Sequence, residues 1–267
     1  MGVNNGRLFT FGCSLTRYHW PTWADILGQS FDEFYNFANR GAGNRQIMER
    51  FAEAVARIDF TGNDVIIIQW TDYHRFDQHI WDPELPESWY PGGNIFSSTE
   101  ADPMKGFVIN KMWNEKSYQM HTFNYIYAGV ALARQTRCRV LMTFGQDLRP
   151  ELLSKEFKNY RKFIQNNYWI DSDIYNWTVQ NCDERLSFKG ARLGDLSEEP
   201  TMDYHPTPIM YYKWLVERIQ TTLNIQIDKK FAMKMQDALV NCKNYNDIGQ
   251  AIKEAGYDCN KHYIRGM

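Results

Sequence analysis

With 267 residues, the chain is long enough for one large α/β domain with a sizeable buried core, or for such a domain and a small appendage. Its 30 basic and 32 acidic residues leave a formal net charge of -2, which argues against nucleic-acid binding by phosphate neutralisation. No apolar run approaches the roughly 18 residues of a membrane span, the opening MGVNNGRLFTFG lacks the apolar stretch of a signal peptide, and the five cysteines include no CxxC pair, so a soluble protein with reduced thiols in a cytoplasmic compartment is expected.

In chain order, RLFTFG (Arg7 to Gly12) is a short apolar run bounded by polar or glycine residues, as a buried parallel strand is. WPTWADILGQ follows with a helical pattern, and FYNFAN (Phe34 to Asn39) reads as a shorter strand. NRQIMERFAEAVARI places Ile47, Phe51, Val55 and Ile58 on one helical face. DVIIIQW (Asp64 to Trp70) and RVLMTFG (Arg139 to Gly145) are further strands, and SYQMHTFNYIYAGVALARQTR, ELLSKEFKNYRKFIQ and TPIMYYKWLVERIQTTL are further helices. This alternation predicts a three-layer α/β/α fold around a central parallel sheet.

Two stretches break the rhythm: Arg75 to Asn114, rich in aromatic residues, proline and glycine, and Trp169 to Tyr204. A long insertion after a strand is commonly functional, and the rings between Trp81 and Tyr127 suit either a carbohydrate or acyl groove or plain packing. The expected organisation is a main domain over 1–227 with an insertion at about 75–114, then a C-terminal helical appendage over 228–267. The appendage holds KKFAMKMQDALVNC and NDIGQAIKEAG, the second closed by Gly256.

In an open parallel sheet, reactive groups gather at the carboxyl ends of strands, and Ser14 stands there behind Gly12 and Cys13. The helix expected after it would aim its N-terminal amides at the serine oxygen; a serine in that place is more usually an N-cap. A nucleophilic serine needs a base, and the base an orienting group. Of six histidines, His205 in TMDYHPTP has Asp203 before it and Pro206 after it. That pattern suits a Ser14, His205 and Asp203 arrangement, but taken by itself it fits better a proline-led helix start capped by Asp203.

Metal binding is not expected. DSDIYN (Asp171 to Asn176) lacks the glycine and terminal glutamate of a calcium loop, and Cys259 with His262 lacks two further zinc ligands. There is no Walker loop and no dinucleotide glycine fingerprint.

FTFGCSLT resembles the first block of the SGNH/GDSL hydrolases, usually Gly-Asp-Ser-Leu, and DYHP resembles their terminal Asp-His block. NFANRGAGN (Asn36 to Asn44) is similar to the second block, with Gly41 matching the glycine whose amide joins the oxyanion hole. QWTDYHR stands where the third block belongs, and the blocks run in family order from about Phe9 to Pro206. Cys13 replaces the aspartate before the serine, and the family's Gly-x-Asn-Asp becomes Gln69-Trp70-Thr71-Asp72. Thr71 thus stands for the asparagine that gives the third oxyanion donor, with Asn44 a candidate substitute. GNDV (Gly62 to Val65) looks like the missing pair but precedes its strand, at the opposite sheet edge. The family spaces its aspartate three residues before the histidine, whereas Asp203 is two before His205. The first and third blocks are also similar to divergent members carried by bacterial viruses and marine bacteria.

The resemblance implies an SGNH-hydrolase-like, flavodoxin-like sheet and a serine esterase without metal or organic cofactor. Ser14 would attack the carbonyl, His205 would carry the proton and Asp203 would steady His205. The amides of Ser14 and Gly41, with Thr71 or Asn44, would hold the oxyanion. Relatives that deacetylate sugars make removal of O-acetyl groups from a carbohydrate the implied reaction, with His74, Arg75 and Trp81 as candidate substrate contacts. The implied partner is a small-molecule or glycan ester, not nucleic acid or membrane, and a viral origin would place the protein in a host cytoplasm or a virion. The competing expectation is a catalytically inactive protein of the same fold, a glycan-binding module or a structural part of a virion, which the altered third block favours.

Overall fold

The apolar runs LFTF and VIIIQW lie side by side at the centre of the sheet. The computed structural model describes residues 6–79, 89–96, 103–146, 148, 154–160, 168–190 and 199–264. Its strands are β1 (Arg7–Phe11), β2 (Glu33–Asn36), β3 (Val65–Trp70), the hairpin β4 (Arg75–His79) and β5 (Trp89–Asn94), β6 (Arg139–Phe144), β7 (Trp169–Asp173) and the short pair β8 (Ser187–Phe188) and β9 (Thr201–Met202). The helices are α1 (Trp23–Gly28), α2 (Asn44–Arg57), α3 (Pro103–Phe107), α4 (Glu115–Ala133), α5 (Ile174–Asn181), α6 (Pro208–Leu215), α7 (Lys229–Val240) and α8 (Ile248–Glu254).

Among the described residues the main sheet runs β2-β1-β3-β6-β7, with every pairing parallel. β3 is buried along its whole length, which is why it reads as an unbroken apolar run. On one face Phe9, Phe11, Ile66, Ile68 and Trp70 pack with Ile47 and Phe51 of α2 and with Phe123, Ile126 and Val130 of α4. On the other, Leu8, Val65, Ile67 and Leu141 meet Trp23 and Ile26 of α1, Ile174 and Trp177 of α5, and Tyr211 and Trp214 of α6. The fold is therefore a three-layer α/β/α sandwich. Taken over the sheet strands alone, the order is the flavodoxin-type 2-1-3-4-5, whose topological switch point falls between β1 and β3. Chains leave β1 and β3 in opposite directions across the sheet, opening a crevice at their carboxyl ends.

Four elements, β7, α5 and the short pair β8 and β9, fall inside the stretch from Trp169 to Tyr204 that the sequence presents as irregular. WIDSD forms β7, an edge strand that needs no continuous apolar run, and Asp173 accepts from the Asn176 N–H at 2.7 Å to cap α5. ELLSKEFKNYRKFIQ lies mostly outside the described residues. No helix among the described residues is long and apolar enough to cross a membrane.

The segment after Ile227 is woven into the rest. Met235 and Leu239 of α7 and Ile248 and Ile252 of α8 form a cluster with Tyr18, Trp20 and Phe188. Tyr257 donates to Asp25 at 2.9 Å, and the Arg17 guanidinium lies 3.4 Å from the ring centre of Tyr263. Tyr263 also bridges in parallel to Asn36, at the outer edge of β2.

Candidate active site

Ser14 lies just beyond β1, at the switch point, in a turn rather than at a helix start. Cys13 O accepts from Thr16 N–H at 2.9 Å and from Arg17 N–H at 3.1 Å, and α1 begins only at Trp23. Pro21 disfavours helix for Trp20 before it, so the helix waits for Thr22, whose N–H donates to the Asp25 carboxylate at 2.8 Å. No helix N-terminus is therefore aimed at Ser14. Gly12 is required by close approach, since a Cβ there would sit 2.1 Å from Thr16 Oγ1.

The two departures Cys13 and Gln69 face each other. Gln69 Oε1 accepts from Thr16 Oγ1 at 3.0 Å, Cys13 Sγ at 3.3 Å and Cys13 N–H at 3.4 Å, while its Nε2 donates to Trp70 O at 2.6 Å. A buried carboxamide from β3 thus pins the Ser14 turn. Gln69→Ala should cost about 3 kcal/mol in urea unfolding, because it leaves buried donors without acceptors. A loss under about 0.5 kcal/mol would mean the turn is held by something else.

The second loop docks onto the first: Phe37 N–H donates to Thr10 O at 2.8 Å and Asn39 N–H to Gly12 O at 3.2 Å. Gly41 has φ of 74°, the left-handed region that favours glycine. The β4–β5 hairpin clasps this loop, with Gly93 N–H donating to Gly41 O at 3.1 Å and Arg75 to Ala42 O at 3.4 Å. From the same hairpin, Asp77 accepts from Gly43 N–H at 2.6 Å and Gln46 N–H at 3.0 Å, capping α2. Burial pushes the Asp77 carboxyl up to about 6. Among the described residues, neither the Ser14 nor the Gly41 N–H has an acceptor.

Of the candidate third donors, Asn44 is committed elsewhere. Its Nδ2 donates to Thr71 O at 2.8 Å and Thr122 Oγ1 at 3.2 Å, and its Oδ1 accepts from Thr71 N–H at 2.9 Å. It fixes the chain after β3 rather than offering a hydrogen to a ligand. The Thr71 hydroxyl makes no hydrogen bond among the described residues and is not among the fully enclosed polar atoms. Beside it, burial opposes ionisation of Asp72, but the His74 hydrogen bonds and the Arg75 charge outweigh it and hold the carboxyl below its usual range.

Asp203 and His205 form a closed pair. Asp203 Oδ1 lies 2.8 Å from His205 Nδ1 and also accepts the His205 backbone N–H at 2.8 Å. Asp203 Oδ2 accepts from the Tyr18 hydroxyl at 2.7 Å, and the Tyr18 oxygen lies 2.8 Å from that of Tyr245. Burial works against the Asp203 charge, yet these hydrogen bonds win and its pKa is lowered. The Tyr18 ring stacks on the His205 imidazole, centres 3.7 Å apart, and Trp20 Nε1 donates to Pro206 O at 2.9 Å. The loop bearing Ser14 and the loop bearing His205 are thereby locked together. Ser14 Oγ itself makes no hydrogen bond among the described residues, so no direct link joins it to His205 in this structure.

The expected substrate contacts differ in what the structure gives them. His74 packs against Tyr73, Trp113 and Phe96 in an aromatic group, with ring centres 4.1, 5.6 and 5.6 Å away. Arg75 is largely buried among Asp72, Asp77 and Ala42 O and acts as a tie between loops, since its guanidinium already faces two carboxylates. Trp81 lies outside the described residues. A cavity of about 270 Å³ opens beside Asn44, Arg45, Arg75, Tyr118, His121 and Tyr125. Among the described residues, no group of three or more His, Cys, Asp or Glu side chains could hold a metal ion.

The sequence reading gave no role to Asp77, Tyr18 or Tyr245, and noted Gln69 only as a departure from the family block without seeing what it holds. A lone glutamine in VIIIQW is the one that carried a signal, since a carboxamide inside a fully buried strand must find partners.

No protein-family model and no curated protein matches the chain. Among solved structures, a member of the lipolytic protein G-D-S-L family from Veillonella parvula aligns over 79% of this chain and 97% of its own, with 12% sequence identity and a TM-score of 0.40.

Proposed function

We propose that the protein is a serine hydrolase of the SGNH/GDSL kind that cleaves a carboxylic ester through an acyl-enzyme. The observation that carries this reading is the Asp203–His205 pair, stacked and hydrogen-bonded onto the loop of Ser14 at the switch point of the sheet. An ionised Asp203 holds a proton on His205 Nδ1, which leaves Nε2 as the basic nitrogen.

Ser14 Oγ attacks the carbonyl carbon while its proton passes to His205 Nε2. The oxyanion that forms takes the Ser14 and Gly41 amides, which have no other acceptor among the described residues, and the Thr71 hydroxyl. As the tetrahedral intermediate collapses, the alcohol leaves with the proton from Nε2. Water then gives a proton to Nε2 and attacks the acyl-Ser14 ester, releasing the acid and restoring the serine. Within this class we favour a short acyl group such as acetyl on a carbohydrate, supported by the rings of Tyr73, His74, Phe96 and Trp113.

One observation favours the inactive, glycan-binding reading, namely the missing hydrogen bond between Ser14 and His205. Catalytic hydrogen bonds are often long in empty sites and tighten around substrate, so this does not decide against an enzyme. Labelling with a serine-reactive fluorophosphonate and mapping the adduct separates the two. The expected result is an adduct on Ser14 and acetate release from acetylated sugars. If a control hydrolase labels and this protein does not, the binding reading replaces the enzyme.

A further inference from the structure

We infer that Tyr18 and Tyr245 are positioning residues for the Asp203–His205 pair, forming a relay of hydroxyls that fixes the carboxylate from its far side. The inference rests on the hydrolase reading above. It extends the active site by a residue from the C-terminal segment, which the pair would otherwise not need.

Asp203 has two carboxylate oxygens, and His205 uses only Oδ1. Oδ2 is taken by the Tyr18 hydroxyl at 2.7 Å. With its own hydrogen given to Asp203, the Tyr18 oxygen is left to accept, and the Tyr245 hydroxyl 2.8 Å away is placed to donate to it. Both phenols stay protonated across the working range, because burial first, and the nearby Asp203 charge, raise the Tyr18 pKa far above its usual value and push Tyr245 up to about 12. The chain of donors therefore runs in one direction, from Tyr245 to Tyr18 to Asp203. A carboxylate held at both oxygens cannot swing about its last bond, and the imidazole it orients stays in one plane. The Tyr18 ring reinforces this by stacking on His205 at 21°.

The groups that face His205 are Asp203 on its own loop, Tyr18 and, beyond it, Tyr245, and His19 with Arg40. Burial, then the Arg40 charge, lowers His19 to about 4, so it is neutral where a hydrolase would work. Losing a donor to Oδ2 concentrates the Asp203 charge toward the imidazole and favours its protonated form.

The test is the rate of fluorophosphonate labelling at Ser14 as a function of pH, in the full chain and in Tyr18→Phe and Tyr245→Phe. Phenylalanine keeps each ring and removes only the hydroxyl. Tyr18→Phe should label about five- to twentyfold more slowly near neutral pH, with the acidic limb of the profile moved up by about half a unit to one unit. Tyr245→Phe should move the limb the same way by less. A purely structural role would lower the melting temperature and leave the limb in place. Wild-type rates and an unmoved limb in both variants overturn the inference, and if Tyr18→Phe does not fold, Tyr245→Phe alone decides. Absence of any adduct in the unmodified chain is a different outcome, because it removes the hydrolase reading itself.

Discussion

His205→Ala should lower kcat on a short acyl ester by about four orders of magnitude or more while leaving the protein folded. In the proposed mechanism this imidazole, oriented by Asp203 at 2.8 Å, is the base that takes the serine proton. Its side chain is 25% exposed, which means that alanine opens a notch at the surface rather than a cavity in the core. What is lost in stability is the hydrogen bond to Asp203 and the stack on Tyr18, roughly 1–2 kcal/mol together. Steady-state hydrolysis of an activated acetate ester, with a thermal melt of the same sample, checks both halves. Activity within tenfold of the unmodified chain would remove His205 from the mechanism.

Trp214→Ala should produce the largest loss of stability, about 3–5 kcal/mol, or a fall in Tm on the order of 6–15 °C for a chain of this size. Trp214 is fully buried, sits edge-on to Trp23 with ring centres 6.2 Å apart, and donates from Nε1 to Ser172 Oγ at 3.0 Å. It thus joins α6, α1 and β7 across one face of the sheet. Because α6 starts just after His205, the substitution also loosens the support of that loop, and any activity should fall together with stability. A Tm within about 2 °C of wild type would mean that the surrounding side chains collapse onto the space.

The sheet was legible where burial on both faces writes itself as an apolar run, as in LFTF, VIIIQW and VLMTF. It was illegible at WIDSD, where an edge strand carries polar residues and ends in a helix cap. The resemblance singled out Ser14, Gly41, Asp203 and His205 in ordered blocks, and the fold brings the loops that carry them together. The sequence was misleading at the Ser14 turn, where a helix was expected at once, and at Asn44, where an amide that could donate to a ligand is bound to Thr71 and Thr122. Tyr18 and Tyr245 could not be found, since they lie 227 residues apart and nothing in either neighbourhood marks a contact that only the fold creates.

The tie between the C-terminal segment and β2 has a further consequence, for solubility rather than for the site. Asn36 donates its N–H to His262 O at 2.8 Å and accepts from Ile264 N–H at 3.0 Å. The outermost strand on that side therefore has its hydrogen-bonding edge covered by the chain itself. Uncovered, such an edge is a template on which a second molecule can pair its own strand, and hydrophobic parallel sheets are prone to grow that way. His262 and Ile264 close this edge, so a chain without them would carry an open strand edge on which another molecule could pair.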